Sequence, residues 1–238
     1  MKAVILAAAT SPRLLPFSDQ RAKPLTRIAG RTLLECTVQS LVAAGITEVV
    51  MVVNHRRETI QEFLEHGRRF GISVQYVVQE PLEGIGHAIQ ACRDYLREEA
   101  FLLLYGDVLA TGPFIERIIE RYMMDGGAVA GLSLPKSSQD FGNVYLNPDM
   151  RIARLVEKPS DPHLSNYVFA GGFVLSSEAS VLLIQVCFAG VICGDCTQAS
   201  NPFKSLYRKM ASMPTINVCT SLVWQADVLV LVSGILCG

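Results

Sequence analysis

The sequence predicts an α/β fold in which a mixed, mostly parallel sheet carries helices on both faces. Over residues 1–135, short apolar runs alternate with segments whose apolar residues recur at helical spacing, which is typical of βαβ units. From about residue 140 the pattern changes to two short strands joined by a turn, which adds antiparallel strands to the sheet. Because we find no internal repeat and no flexible linker, we predict a single domain, 1–238, with a first half 1–135 and a second half 136–238.

Each element has its own local signal. The first predicted strand, residues 2–8, is a continuous apolar run of the kind found in central parallel strands, which are covered on both faces. Further strands are predicted at 48–53, 74–78, 101–105 and 128–134, and helices at 32–44, 57–66, 86–96 and 114–124. A hairpin of strands 143–146 and 151–157 follows, and then a strand at 167–175.

The composition excludes several classes of protein. The chain has 238 residues, with 21 Lys and Arg against 22 Asp and Glu, and a formal net charge of −1. This balance lacks the basic excess of nucleic-acid-binding domains, and an apolar fraction of 50% excludes disorder. The apolar runs 3–9 and 228–237 are too short for a signal peptide or a membrane span. We therefore expect no nucleic acid partner, no membrane partner and a cytoplasmic location.

The seven cysteines are concentrated near the C-terminus, since only Cys36 and Cys92 precede residue 187. An odd total argues against a disulfide framework. The pair Cys193 and Cys196 has the spacing of half a zinc site, but no second pair of ligands lies at a matching distance. Residues 180–220 are also poor in charge. This change in composition suggests the hypothesis that part of the C-terminal reading frame is shifted or divergent.

Polar residues follow several predicted strands at their carboxyl ends, where open α/β sheets bind ligands. Arg13 and Lys23 lie on the loop after the first strand, and two cations on one loop could both reach a polyphosphate. Asp107 follows the strand at 101–105 after Gly106, and a carboxylate at this point either faces a ligand or is a turn residue or helix cap. Gln79 begins another such loop, and its side-chain amide can both donate and accept hydrogen bonds.

Over residues 1–175, five segments together resemble the sugar-1-phosphate nucleotidylyltransferases, the family of glucose-1-phosphate thymidylyltransferases and UTP-dependent pyrophosphorylases. They are Leu6-Ala7-Ala8 with Arg13-Leu14, Pro16 and Lys23-Pro24-Leu25; Gln79 to Gly84; Gly106-Asp107; Phe141-Gly142 with Glu157-Lys158-Pro159; and Ser165-Asn166-Tyr167 with Ala170-Gly171. The resemblance implies a Rossmann-like sheet of the nucleotide-diphospho-sugar transferase type. It also implies a nucleotide-binding half, 1–135, and a sugar-phosphate-binding half, 136–238, with 180–220 divergent.

The resemblance further implies the roles of individual residues. The implied catalytic residues are Arg13, Lys23, Asp107 and Lys158, which would neutralise and orient phosphate groups or hold Mg²⁺. The implied metal ligands are Asp107 and, in the segment after Trp224, Asp227. The nucleotide would be bound by Leu6, Ala8, Ala9, Arg13, Gln79 and Gly84, and the sugar by Gly142, Glu157, Lys158 and Gly171.

The implied reaction joins an NTP to a sugar 1-phosphate, giving an NDP-sugar and pyrophosphate. We expect a pyrimidine nucleotide, dTTP or UTP, and a hexose 1-phosphate such as glucose 1-phosphate. The sugar phosphate oxygen would attack the α-phosphorus in line, so catalysis would consist of positioning and charge neutralisation. The sequence leaves open which base and which sugar are used, and whether the protein is a homo-oligomer.

Some positions depart from the family pattern. Ala9 and Ser11 replace glycines, Pro12 replaces Thr or Ser, and Ile85 replaces Thr. Alanine and serine resist a positive φ, and proline lacks an N–H donor. These departures favour an alternative, a non-catalytic regulatory homologue that binds nucleotide sugars. A dinucleotide-dependent oxidoreductase is disfavoured, because the first loop lacks the glycine-rich fingerprint of that class.

Overall fold

A nine-stranded sheet runs through the computed structural model, which describes residues 1–9, 22–96, 99–135, 141–148, 150–157, 164–181 and 216–219. The strands are β1 Lys2–Ala7, β2 Arg27–Ile28, β3 Arg31–Thr32, β4 Glu48–Val53, β5 Ser73–Val78, β6 Phe101–Tyr105, β7 Ala128–Ser133, β8 Gly142–Leu146, β9 Ile152–Glu157, β10 Tyr167–Leu175 and β11 Ile216–Cys219. The helices are α1 Leu33–Ala43, α2 Arg57–Leu64, α3 Gly84–Ala91, α4 Arg93–Leu96 and α5 Gly112–Asp125, with 3₁₀ turns at Lys23–Leu25 and Arg68–Phe70.

The strand order in the large sheet is β11-β7-β10-β6-β1-β4-β5, and the hairpin of β8 and β9 joins it at β10. β1 pairs in parallel with both β4 and β6, β4 pairs in parallel with β5, and β7 with β11. β10 is antiparallel to both β6 and β7, so β7 points in the same direction as β6. Six of the seven strands in this order therefore share one direction, which confirms the predicted mixed, mostly parallel sheet.

Helices cover both faces of the sheet, as predicted. On β1, Ile5 faces a core formed with α1, α2 and α5, to which Val38, Ile60 and Ile118 contribute. Its neighbour Val4 faces the opposite core, which is formed with α3 and α4. Successive side chains of a strand point to opposite faces, so an uninterrupted apolar run is needed when both faces are buried.

Several boundaries differ from the predictions. The predicted helix 86–96 is two helices, because α3 begins at Gly84 and ends before Cys92, after which α4 follows. The predicted helix 57–66 ends at Leu64, and the chain then turns at Gly67, whose φ is +81°. The short hairpin of β2 and β3 and the strand β11 were not predicted from the sequence. Within the described parts of the chain, no helix is both long enough and apolar enough to cross a membrane.

Candidate functional site

The carboxyl ends of β1 and β6 lie side by side and define one edge of the site. Leu6 pairs with Tyr105, and the backbone N–H of Gly106 donates to the carbonyl oxygen of Leu6 at 2.9 Å. A Cβ atom at Gly106 would lie 2.7 Å from that oxygen and 3.1 Å from Cγ of Pro24. The absence of a side chain at Gly106 therefore allows the segment that carries Pro24 to approach the end of β6.

Lys23 and Asp107 form an ion pair at this edge. The Lys23 Nζ atom lies 3.0 Å from Oδ2 of Asp107, although the two residues are 84 positions apart in the sequence. The Lys23 side chain is only 5% exposed and that of Asp107 is 20% exposed. The 3₁₀ turn Lys23–Leu25 is buried, and the fixed φ of Pro24 favours that turn. The structure thus brings two of the predicted catalytic residues together, and their roles stay predictions.

Asp107 also fits part of a magnesium site. In NTP-dependent enzymes, Mg²⁺ is held by one or two carboxylates together with substrate phosphates and water. The carboxylate of Asp107 is 20% exposed and has the oxygen ligands that Mg²⁺ prefers, although its Oδ2 is paired with Lys23. Among the described residues, no group of three or more His, Cys, Asp or Glu is placed to hold a metal by itself. The second predicted ligand, Asp227, lies outside the described residues.

A gap in the pairing of β10 lies next to Asp107. β7 pairs along one edge of β10, and the other edge is shared by β8 and β6. β8 pairs with β10 as far as Val168, opposite Asn143, and β6 pairs with it from Gly172, opposite Leu104. At about 3.3 Å per residue, the two pairings are roughly 13 Å apart. Along this edge, no described strand pairs with residues 169–171, and we call this stretch the β10 gap. It separates the carboxyl end of β6 from the start of β8.

Gly171 forms the part of the β10 gap that is next to Asp107. Its φ is +77°, and a Cβ atom there would lie 2.8 Å from Cγ2 of Val108. The register between β10 and β7 also shifts between Phe169 and Phe173. A glycine is therefore required at this irregularity, and it places the backbone of β10 against the residue that follows Asp107.

The β8–β9 hairpin forms the other side of the β10 gap. Gly142, at the start of β8, pairs with Glu157, at the end of β9. The structure describes the backbone of Glu157 but not its side chain. Two predicted sugar-binding positions, Gly142 and Glu157, are thus neighbours across the hairpin, on the opposite side of the β10 gap from Asp107.

The loop after β5 is held in place by hydrogen bonds to Gln79. The Gln79 side chain is buried, and its Nε2 donates to the carbonyl oxygen of Gly84 at 2.9 Å. Its backbone N–H donates to the carbonyl oxygen of Val53 at 3.0 Å. Asn54, which follows β4, donates from Nδ2 to the carbonyl oxygen of Gln79 at 2.5 Å. Gln79 thus organises the loop, and its amide has a second N–H and an acceptor oxygen for a ligand.

Sequence reasoning missed Asn54. The signal that could have found it is the one that indicated Asp107, a polar residue directly after an apolar strand. The remaining predicted residues are divided between two groups. Ala8 is buried and Ala9 is exposed, both directly after β1. Arg13, Lys158 and Asp227 lie outside the described residues, as do the departures Ser11 and Pro12.

A mostly parallel α/β sheet with helices on both faces defines a protein of the Rossmann-like class, in which the carboxyl ends of the strands form the ligand-facing edge. More particularly, the chain belongs to the nucleotidyl transferase family, whose sequence profile matches residues 2–188. The resemblance indicated by the motifs is therefore confirmed.

Individual relatives agree with this assignment. The chain is 30% identical over 177 residues to the low-salt glycan biosynthesis nucleotidyltransferase Agl11 of Haloferax volcanii, covering 74% of this chain and 49% of the relative. It is 30% identical over 176 residues to a glucose-1-phosphate thymidylyltransferase of Streptomyces griseus, with the same coverage of each chain. The chain thus spans about half the length of these curated relatives.

Among solved structures, a UDP-glucose pyrophosphorylase from Acinetobacter baumanii superposes with a TM-score of 0.70 at 23% identity. The superposition covers 91% of this chain and 84% of that one. At this level of identity the similarity establishes the fold, and the predicted Rossmann-like class is confirmed.

Proposed function

We propose that this protein transfers a nucleotidyl group from a pyrimidine NTP, dTTP or UTP, to a hexose 1-phosphate such as glucose 1-phosphate. The products are an NDP-sugar and pyrophosphate. Membership of the nucleotidyl transferase family supports the reaction type. The observation that carries the proposal is the β10 gap, which lies between the Lys23–Asp107 ion pair on one side and Gly142 with Glu157 on the other.

The reaction needs no covalent intermediate on the protein. An oxygen of the sugar phosphate attacks the α-phosphorus of the NTP, a new P–O bond forms, and the bond to the leaving pyrophosphate breaks. Since both substrates are anionic, catalysis depends on neutralising charge and aligning the reacting oxygens. Lys23 would supply a buried positive charge next to the phosphates, because its ammonium group is held at the ligand-facing edge of the sheet.

We further propose that Mg²⁺ is the cofactor, held by Asp107 together with Asp227. When bound, it would neutralise phosphate charge and orient phosphate oxygens. Arg13 would bind the triphosphate and Lys158 the sugar phosphate, as the family motifs imply. The proposed substrates are phosphorylated metabolites of the cytoplasm, and we place the reaction there.

The nucleotide base would bind at the loop that begins at Gln79. The buried Gln79 amide is fixed on one side by Gly84, and a base edge would complete its hydrogen bonding on the other side. The backbone next to Leu6, Ala8 and Ala9 would contact the nucleotide from the end of β1.

A second candidate is a non-catalytic homologue that binds nucleotide sugars. It is motivated by Ala9, Ser11 and Pro12, which replace the residues expected in the phosphate-binding loop. Alanine and serine restrict backbone conformations that glycine permits, and Pro12 cannot donate a backbone hydrogen bond to a phosphate.

One substrate panel tests both candidates. The purified chain is incubated with dTTP, UTP, CTP, ATP or GTP and each of several hexose 1-phosphates, and pyrophosphate release is measured with Mg²⁺ or with EDTA. We expect release that depends on Mg²⁺ and is fastest with dTTP or UTP and glucose 1-phosphate. A preference for a purine nucleotide would contradict the proposed base. No release with any pair, together with calorimetric binding of an NDP-sugar, would establish the non-catalytic candidate instead.

A further inference from the structure

The β8–β9 hairpin is joined to the main sheet through a short contact. Within the described residues, β8 pairs with β10 at two positions, Tyr167 with Val144 and Val168 with Asn143, and β9 pairs with β8. Beside these two residue pairs, a small buried cluster of Leu132 and Val144 packs the hairpin against β7 and β10. Because the ladder itself is only two pairs long, the side-chain contacts next to it help to fix the angle of the hairpin. The hairpin carries one side of the β10 gap, so its angle to β10 determines the width of that gap.

The side chain of Asn143 adds a hydrogen bond to the contact between β8 and the segment before β10. Asn143 is the second residue of β8, and it is fully buried. Its Nδ2 donates to the carbonyl oxygen of Phe141 at 3.1 Å, and its Oδ1 accepts from the backbone N–H of Ser165 at 2.9 Å. A buried amide is costly unless it is hydrogen-bonded, so these bonds fix both Asn143 and the backbone that it contacts.

Ser165 completes the connection from the side of β10. Its Oγ donates to the carbonyl oxygen of Val144 at 2.5 Å and accepts from the backbone N–H of Tyr167 at 3.0 Å. Two of these bonds join residues 141–144 to residues 165–167: the one from the Ser165 N–H to Asn143 Oδ1 and the one from Ser165 Oγ to the Val144 carbonyl oxygen. The other two, from Asn143 Nδ2 to Phe141 and from the Tyr167 N–H to Ser165 Oγ, hold these side chains within their own segments. Both segments border the β10 gap, because Gly142 begins β8 and Tyr167 begins β10.

We infer that Asn143 and Ser165 are positioning residues for the sugar phosphate. They hold the hairpin at the angle that sets the width of the β10 gap, and therefore the distance between Gly142 with Glu157 and Asp107. This inference rests on the proposed function. The loop that begins at Gln79 lies beyond β1 and β4 in the strand order, so binding of the base does not depend on this connection.

The test compares Asn143→Ala and Ser165→Ala with wild type in the full chain, using dTTP and glucose 1-phosphate. Because misplacement by about 1 Å can cost up to about 100-fold, we expect the KM for glucose 1-phosphate to rise at least about tenfold in both variants. The KM for dTTP is expected to stay within about twofold, because the proposed base site does not depend on this connection. A mere loss of folded protein would be distinguishable, since it lowers the apparent kcat and leaves both KM values unchanged. Ser165→Thr keeps the hydroxyl and is expected to restore the KM for glucose 1-phosphate.

A matched control separates positioning from stability. Ile60→Val removes a methylene group from a fully buried side chain in α2. This helix connects β4 to β5, the two strands furthest from β10 in the strand order. Both KM values are expected to be those of wild type. Thermal melts establish that each variant is folded at the assay temperature. If Asn143→Ala is not folded at that temperature, the inference is tested by comparing Ser165→Ala with Ser165→Thr.

The results that overturn the inference are unchanged KM values in Ser165→Ala, an equal rise for both substrates, or no recovery in Ser165→Thr. The proposed function fails separately, if wild type releases no pyrophosphate with any pair of the substrate panel. In that case the same variants are compared by the calorimetric Kd of glucose 1-phosphate. A wild-type protein that does not bind glucose 1-phosphate overturns the inference as well.

Discussion

Replacing Lys23 by methionine removes the buried cation of the site while keeping the length and apolar body of the side chain. Two unit charges 3.0 Å apart attract by about 5–6 kcal/mol at an effective dielectric constant of about 20. Desolvation offsets part of this attraction, and removing one partner of a buried pair costs about 3–5 kcal/mol. Because Asp107 is 20% exposed and water can solvate it, we expect the free energy of unfolding to fall by about 3 kcal/mol, the lower end of that range.

The same substitution should impair the proposed reaction more than a stability loss explains. Loss of one preorganised electrostatic donor typically lowers kcat by about 100- to 1,000-fold. The assay is pyrophosphate release at saturating substrate, scaled to the folded fraction obtained from urea unfolding.

The matched control is Lys2→Met, at the opposite end of β1. The Lys2 ammonium lies 3.7 Å from the Glu48 carboxylate, whose side chain is 66% exposed. This exposed pair contributes about 0–1 kcal/mol, and the Lys2 ammonium also donates to the Tyr95 carbonyl oxygen at 2.7 Å, a bond worth about 1 kcal/mol. The variant should therefore lose at most about 2 kcal/mol of stability and retain its kcat. A kcat of Lys23→Met within about threefold of wild type would refute the role assigned to Lys23.

Three further outcomes are expected. Gly171→Ala should lower the free energy of unfolding by about 2 kcal/mol, measured by urea denaturation, because a Cβ atom at a φ of +77° would lie 2.8 Å from Val108. Burial, with a smaller contribution from the Glu65 carboxylate, raises the pKa of Tyr76 to about 12 from 10.0. Its contribution to stability is therefore fully present below about pH 10 and is lost as the pH rises towards 12, so Tyr76→Phe should show a flatter unfolding free energy between these values. Burial also raises the pKa of the Cys92 thiol to about 12, so little of the reactive thiolate is present at pH 8. Mass spectrometry should therefore find Cys92 unmodified by N-ethylmaleimide at pH 8 until urea unfolds the chain. Modification of the folded chain at the rate of an exposed thiol would contradict this.

The parts of the fold that the sequence predicted well depend on local patterns. β1 and β6 are continuous apolar runs, and a central parallel strand requires that pattern because both of its faces are covered. The predicted and observed bounds of these strands agree to within one residue. The helix α5 was predicted from its apolar period, and its true start at Gly112 is set by the Thr111 side chain, which accepts a hydrogen bond from the N–H of Phe114.

The missed elements and boundaries lack a readable local pattern, and β11 also depends on a contact that is distant in sequence. β11 consists of four residues that pair with β7, and four residues carry no readable period. α3 begins at Gly84 instead of Gly86, where the Gly84 carbonyl oxygen accepts a hydrogen bond from the buried Gln79 side chain. The β2–β3 hairpin turns at Ala29 and Gly30, which both have positive φ, and Ala-Gly at this turn is not one of the Asn-Gly or Asp-Gly pairs that indicate a two-residue hairpin turn.

For the candidate site too, the sequence indicated individual residues but not the contacts between them. Asp107 was selected because it follows an apolar strand, and the structure places it after the carboxyl end of β6, next to β1; its role as a ligand-binding residue stays a prediction. That Lys23 would reach it across 84 residues is a property of the folded chain, since a loop position carries no distance information. Asn143 was predicted only as the first residue of a strand, because only the fold shows that it is buried and hydrogen-bonded to Ser165.

The pairing of β11 with β7 has a consequence for any shortened form of this protein. In the strand order β7 would be the last strand of the sheet without β11, and its residues 128–131 are the apolar run Ala-Val-Ala-Gly. An uncovered apolar border strand offers free backbone N–H and C=O groups to other chains and promotes aggregation. Truncation before residue 216 would therefore yield a protein prone to precipitate, because β11 is the described strand that covers this border of the sheet.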